Sequence, residues 1–153
     1  MANGKFETWL GSIIAPEELF YLAAGDEEQL SEMINRTAKI GYEPFVKTAF
    51  VLDFGETKSD LLDLDNFRNN TSSFQIIDIR NLNEVKEHPI FPDSLHIPLP
   101  ELRERVKEIP TDKPLVVHCA GGYRSAAGSS ILENSLGKSI PVFDLSIAIN
   151  KFL

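Results

Sequence analysis

A chain of 153 residues holds one ordinary domain, or one small domain and a fragment of another. Its 42% hydrophobic and 25% charged residues exclude a disordered chain, and no window approaches the ~18 apolar residues that a membrane span needs. The net charge of -8 argues against a nucleic-acid partner, because nothing here would neutralise phosphates.

In chain order, Phe20-Tyr21-Leu22 reads as a strand, Glu27 to Ile40 as a helix capped by Gly41, and Phe45 to Val51 as a second strand. Asp60 to Phe67 carries apolar residues at helical spacing, and Phe74 to Ile79 is a short β-rich run. Pro89 to Pro100 reads as irregular, with a brief extended piece at Leu95 to Ile97. Glu101 to Ile109 reads as a helix stopped by Pro110. Its Arg103, Arg105 and Lys107 interleave with Glu101, Glu104 and Glu108, the pattern of a solvated face. The clearest strand is Leu115 to His118. It runs into Cys119 to Ser125, then a helix to Leu136 closed by Gly137, a strand at Ile140 to Phe143 and a last helix at Ser146 to Phe152. Strands alternating with helices predict an α/β fold with a mostly parallel sheet.

Sliding the chain along itself by 96 positions lays Gly25 on Gly121, Gly41 on Gly137 and Val46 on Val142 without a gap. The same shift lays Ala23 on Cys119 and Glu28 on Arg124. Residues 1–57 are therefore expected to be the back half of a degenerate copy of the domain in residues 58–153. The acidic run Asp26-Glu27-Glu28 either decorates a helix N-terminus or serves docking, and its charge would repel anions. Trp9 is expected to pack within this segment.

The segment Cys119-Ala120-Gly121-Gly122-Tyr123-Arg124-Ser125 stands where a strand ends and a helix begins. The first N–H groups of a helix lack intrahelical partners, and two glycines let them converge on one point. A thiolate there is stabilised, Arg124 supplies a fixed cation, and Ser125 is expected to cap the helix. The bland alternative is that Cys119 is a small buried hydrophobe at a strand end. One cysteine leaves no internal disulfide and no all-Cys metal site, and His88, His96 and His118 lack metal-ligand spacing. Asp78 and Arg80 either reach the loop as a second shell or pin the strand end as an ion pair. His118 is expected to pack on the far side of its strand. Tyr123 either shields the sulfur or flanks the pocket.

Ile76-Ile77-Asp78-Ile79-Arg80, Glu84, Leu95-His96-Ile97-Pro98 and Val116-Val117-His118 followed by Cys119 to Ser125, in that order, resemble the rhodanese family across residues 58–153. The resemblance implies a three-layer fold and a sulfurtransferase that needs neither metal nor organic cofactor; the lack of an apolar span and of a basic-then-apolar N-terminal pattern makes the cytoplasm the expected location. It implies Cys119 as the catalytic nucleophile that becomes a persulfide, with Ala120, Gly121, Gly122, Tyr123, Arg124 and Ser125 binding substrate. The donor would be thiosulfate or a thiol persulfide such as glutathione persulfide, and a thiol would accept the sulfur. Related folds acting on phosphate or arsenate esters have one more loop residue, whereas four residues separate Cys119 from Arg124 here. The other class of reading is a non-catalytic docking or redox-sensing module. The segment from His88 to His96 departs from the family pattern by about one residue, with His96 at a usual Asn, which leaves substrate shape open. The chain resembles rhodanese domains fused in tandem behind a metallo-β-lactamase-like persulfide dioxygenase, where the first rhodanese domain lacks its cysteine. Gly4-Lys5-Phe6, Trp9 and Phe20-Tyr21-Leu22 resemble that first domain, which implies an upstream dioxygenase part. The sheet edge left by a missing front half would encourage a homodimer.

Overall fold

The computed structural model describes residues 5–52 and 61–153, apart from the side chain of Lys138. The chain divides into two compact units, residues 1–58 and 59–153. Among the described residues, no helix is long and apolar enough to cross a membrane.

The first unit contains helix α1 (Phe6–Ile13), strand β1 (Phe20–Ala24), helix α2 (Glu27–Ala38) and strand β2 (Val46–Val51). The two strands are parallel, so the chain must cross back between them, and α2 is that crossover. Phe6, Phe20, Leu22, Ala24 and Leu30 form the core. Arg36 on α2 grips both oxygens of Glu7 on α1, at 2.8 and 2.6 Å, and lies over the Phe6 ring. Helix α1 escapes sequence reading because its eight residues are too few to establish a period.

The second unit contains α3 (Leu64–Asn69), β3 (Gln75–Asp78), α4 (Leu82–Glu87), β4 (Leu95–His96), α5 (Leu102–Arg105), β5 (Leu115–His118), α6 (Tyr123–Leu136) and β6 (Val142–Asp144). All strands are parallel, in the order β4-β3-β5-β6. Residues on one face of the sheet, Ile76 and Val116, pack with Phe67 of α3 and with Leu145 and Ile149. Phe67 is fully buried against the rings of Phe74, Phe91 and Phe152, with centroids 5.3 to 5.8 Å apart. On the other face, α6 comes so close that a Cβ on Gly128 would lie 2.8 Å from Ile79 and 3.2 Å from Val117. Helices on both faces of a parallel sheet make three layers, and the architecture is mixed α/β as the alternating pattern predicts.

Several element ends shift for local reasons. The helix expected from Asp60 starts at Leu64, because the Asp63 carboxylate accepts from the N–H groups of Asp65 and Asn66; Asp60 itself lies outside the described residues. The helix expected over 101–109 is only four α residues flanked by tight 3-10 turns, bracketed by prolines at 98, 100 and 110. The final stretch, residues 146–151, is a 3-10 turn rather than an α-helix. The strand expected at Ile140 begins at Val142, since Pro141 has no N–H for the ladder.

The 96-residue shift aligns several landmarks of the two units. It carries the first residue of α2, Glu27, onto Tyr123, the first of α6. It carries the pair Tyr21↔Thr48 onto Val117↔Asp144. Gly41 and Gly137, which it superimposes, share left-handed φ angles of +71° and +68°.

Candidate active site

Strand β5 ends at His118 and delivers Cys119 into a loop that closes at Gly122, the N-cap of α6. Gly122 has φ +93°, and a Cβ there would meet Ser146 and the Ile147 nitrogen at 3.1 to 3.2 Å. Only glycine fits both the dihedral and the space. The curl points the Gly122 N–H at the sulfur, 3.1 Å from Cys119 Sγ. Among the described residues, no side chain caps the helix. The sulfur therefore sits against a helix N-terminus whose partial positive charge is not spent on a cap.

Ser125 does not cap the helix, as the sequence suggested; Gly122 turns the chain there, and Ser125 falls within the first turn. Its hydroxyl donates to the Gly122 carbonyl at 3.0 Å and lies 3.6 Å from Sγ, close enough to accept the thiol proton. The residue Cys119 is wholly buried, with 0% exposure. The sulfur lies at the floor of the loop rather than on the surface. Ala120 and Gly121 are exposed above it, and Tyr123 is 54% exposed, so its ring flanks the loop and does not seal it.

Arg124 is buried, and its two terminal nitrogens meet the two oxygens of Glu84 at 2.6 and 2.7 Å. This fork-to-fork pair raises the Arg124 pKa, with the charge of Cys119 adding to it, and holds the Glu84 carboxyl below its ordinary range. Sequence reading placed Glu84 in the family pattern but gave it no role at the site. It sits at the third position of α4, where it also accepts from the Asn81 N–H at 3.1 Å in a capping box. The Asn-x-x-Glu signature was legible, but it signals a helix start and says nothing of a partner 40 residues away.

Asp78 and Arg80 form a buried ion pair at 2.6 Å, and Arg80 also donates to the His88 carbonyl at 2.9 Å. Burial works to raise the Asp78 pKa, and the Arg80 hydrogen bonds overcome it, so the group stays ionised. Among the described residues, none of these side-chain hydrogen bonds goes to the 119–125 loop. The pair instead anchors the divergent segment: His96 Nε2 lies 2.7 Å from the Arg80 carbonyl.

His118 is fully buried, edge-on to Phe91 at 5.0 Å, and neither ring nitrogen makes a hydrogen bond among the described residues. Asp78 stands 3.5 Å away, too far for a good hydrogen bond. Burial pushes the His118 pKa down to about 4 against the pull of Asp78, so the ring is neutral at pH 7 and packs.

With this geometry in view, comparison with known proteins is specific. The family model for the Rhodanese-like domain matches residues 59–152. A protein named sulfurtransferase from Allochromatium vinosum is 36% identical over 69 residues, 44% of this chain and 64% of its own. The Bacillus subtilis protein YqhL is 34% identical over 71 residues, 46% of this chain and 56% of its own. The chain thus spans less than two thirds of either relative. A structure from Staphylococcus saprophyticus superimposes with a TM-score of 0.51 at 18% identity, covering 63% of this chain and 94% of that one, a likeness of fold.

Proposed function

The chain belongs to the rhodanese-like domain family, and from that premise we propose that it is a sulfurtransferase carrying sulfane sulfur on Cys119. The observation that carries this reading is the Gly122 N–H aimed at Cys119 Sγ from 3.1 Å, at a helix start that no side chain among the described residues caps. The Cys119 thiolate attacks the outer sulfur of thiosulfate or of a thiol persulfide. A new S–S bond forms, the donor's own S–S bond breaks, and its electron pair leaves with sulfite or with the thiolate. A thiolate acceptor then attacks the outer sulfur and releases Cys119. Ala120 to Ser125 line the approach, and Arg124 orients the donor. The charge changes stay on sulfur and oxygen throughout, so the two steps need no resident cofactor.

The repeat supports assigning residues 1–57 as the back half of a second, inactive copy, with residues 58–153 as the complete domain. The resemblance of that first segment to tandem fusions supports an upstream metallo-β-lactamase-like part. A lone thiol that must stay reduced suits the cytoplasm.

Intact-protein mass spectrometry after incubation with thiosulfate or glutathione persulfide tests the function. A gain of one sulfur atom, removed by cyanide and absent in Cys119→Ser, is expected. The complete burial of Cys119 favours one other reading, a non-catalytic docking module. That reading takes over if Cys119 gains no sulfur from either donor.

A further inference from the structure

An arginine in an anion cradle ordinarily offers a full positive charge to its ligand. Here both terminal nitrogens of Arg124 are already engaged by the two oxygens of Glu84, at 2.6 and 2.7 Å. Glu84 is not a wandering surface carboxylate. The Asn81 N–H fixes it at the first turn of α4, and the far end of that helix is tied down through Arg80 and the His88 carbonyl. Arg124 is drawn out of solvent and Glu84 partly so, with 9% and 35% side-chain exposure. The pair is formally neutral, so Arg124 brings less than its full charge to the cradle, beside the partial charges of the backbone N–H groups and the helix terminus. The reacting thiolate of Cys119 is itself negative. A donor that brings two negative charges to the reacting sulfur meets repulsion that a neutralised arginine does not offset.

We infer that Glu84 is a specificity-determining residue that restrains Arg124 and turns the site toward thiol persulfides and away from thiosulfate. This rests on the sulfurtransferase reading above. Thiosulfate carries its double charge on the atoms next to the bond that breaks. A thiol persulfide carries at most one charge there, and any carboxylates on its organic part lie farther off. Attack on it forms the Cys119 S–S bond, breaks the donor's S–S bond and sends the electron pair out with the organic thiolate.

The test compares rates of sulfur loading on Cys119 by intact-protein mass spectrometry, with thiosulfate and with glutathione persulfide as probes. The native protein is expected to load faster from glutathione persulfide. Glu84→Gln keeps the hydrogen-bond geometry but frees the charge of Arg124, and should raise the thiosulfate-to-persulfide rate ratio by about tenfold. Glu84→Asp, which keeps the charge, should stay near the native ratio. A merely structural role would slow both donors together and leave the ratio unmoved. In the native protein, millimolar sulfate, a dianion of thiosulfate's shape, should leave persulfide loading unchanged, and this arm needs no variant to fold. An unchanged ratio in a folded Glu84→Gln protein, or competitive inhibition by sulfate, overturns the inference and leaves the sulfurtransferase reading standing. If the native protein gains no sulfur from either donor, the sulfurtransferase reading fails, and this inference with it.

Discussion

The two strand–loop–helix–strand segments, Phe20–Val51 and Leu115–Asp144, share a backbone plan and differ in what fills the helix start. In the first unit, Asp26 is the N-cap, and its carboxylate accepts from the Gln29 N–H at 2.8 Å. The terminus of that helix is satisfied from within, and an arriving anion would meet Asp26, Glu27 and Glu28. In the second unit, Gly122 takes the same place with no side chain, and the nearest acceptor is the Cys119 sulfur. Glu28 is replaced by Arg124, Ala23 by Cys119, and the buried Leu22 by the buried His118. The same fold element is thus closed by its own carboxylate in one unit and left open for a sulfur in the other. What separates a scaffold from a site is which group satisfies the first turn of a helix.

The sharpest way to break this contrast is to write the first unit's chemistry into the second. Arg124→Glu copies Glu28 and sets two carboxylates against each other where an ion pair stood. Sulfur loading is expected to fall by about a hundredfold or more, and the urea midpoint to drop by the equivalent of about 2 kcal/mol, discounted for the partial exposure of Glu84. Native-like loading by this variant would show that the cation plays no part.

His118 sharpens the contrast through pH. Its folded pKa of about 4 lies below the ordinary 6.5, so the unfolded chain binds the proton more readily between those values. Stability conferred by the neutral ring is intact above pH 6.5 and lost as the pH falls to 4, a total of about 3 kcal/mol. Asp78, whose pKa is lowered, contributes its loss only below its ordinary 3.8. Denaturant melts from pH 7.5 to 4.5 should therefore follow this slope in the second unit, and His118→Phe should flatten it. A slope that survives the substitution assigns the acid sensitivity elsewhere.

Glycine substitutions should discriminate between the loops at smaller cost. Gly122→Ala forces a Cβ into a left-handed backbone and against residues 146 and 147, and should destabilise by about 1 to 2 kcal/mol while slowing sulfur loading. Gly25→Ala meets nothing nearer than the tip of Gln29 at 3.8 Å, and should stay within about 0.5 kcal/mol by thermal melting. Asp26→Ala should act on stability alone. Losing the cap should cost the first unit about 1 kcal/mol and leave loading of Cys119 at the native rate.

The path from sequence to site was short where the chemistry is local. A β-rich run ending in Cys119, two glycines and a helical stretch locate the loop, because strand, turn and helix start are each written in neighbouring residues. The equivalence of the two segments was legible for the same reason, since glycines at helix ends mark backbone positions directly. Short elements were harder. Helices α4 and α5 have six and four residues, less than two turns, so no apolar period can build up in them. Ser125 illustrates a subtler limit: Ser at a helix start reads as a cap, but the left-handed Gly122 moves the start of the helix and gives the hydroxyl other partners.

The sequence by itself determined the class of fold and the position of the loop, and singled out Cys119 as the candidate nucleophile, because these follow from backbone propensities over a few adjacent residues. Only the tertiary structure decided that Arg124 answers to Glu84, that residues 146 and 147 press on Gly122, that Asp78 and Arg80 brace the strand end rather than the loop, and that the sulfur lies buried at its floor. Those facts depend on which distant segments the parallel sheet brings side by side. A contact between residues 40 apart leaves no mark on the local pattern of either.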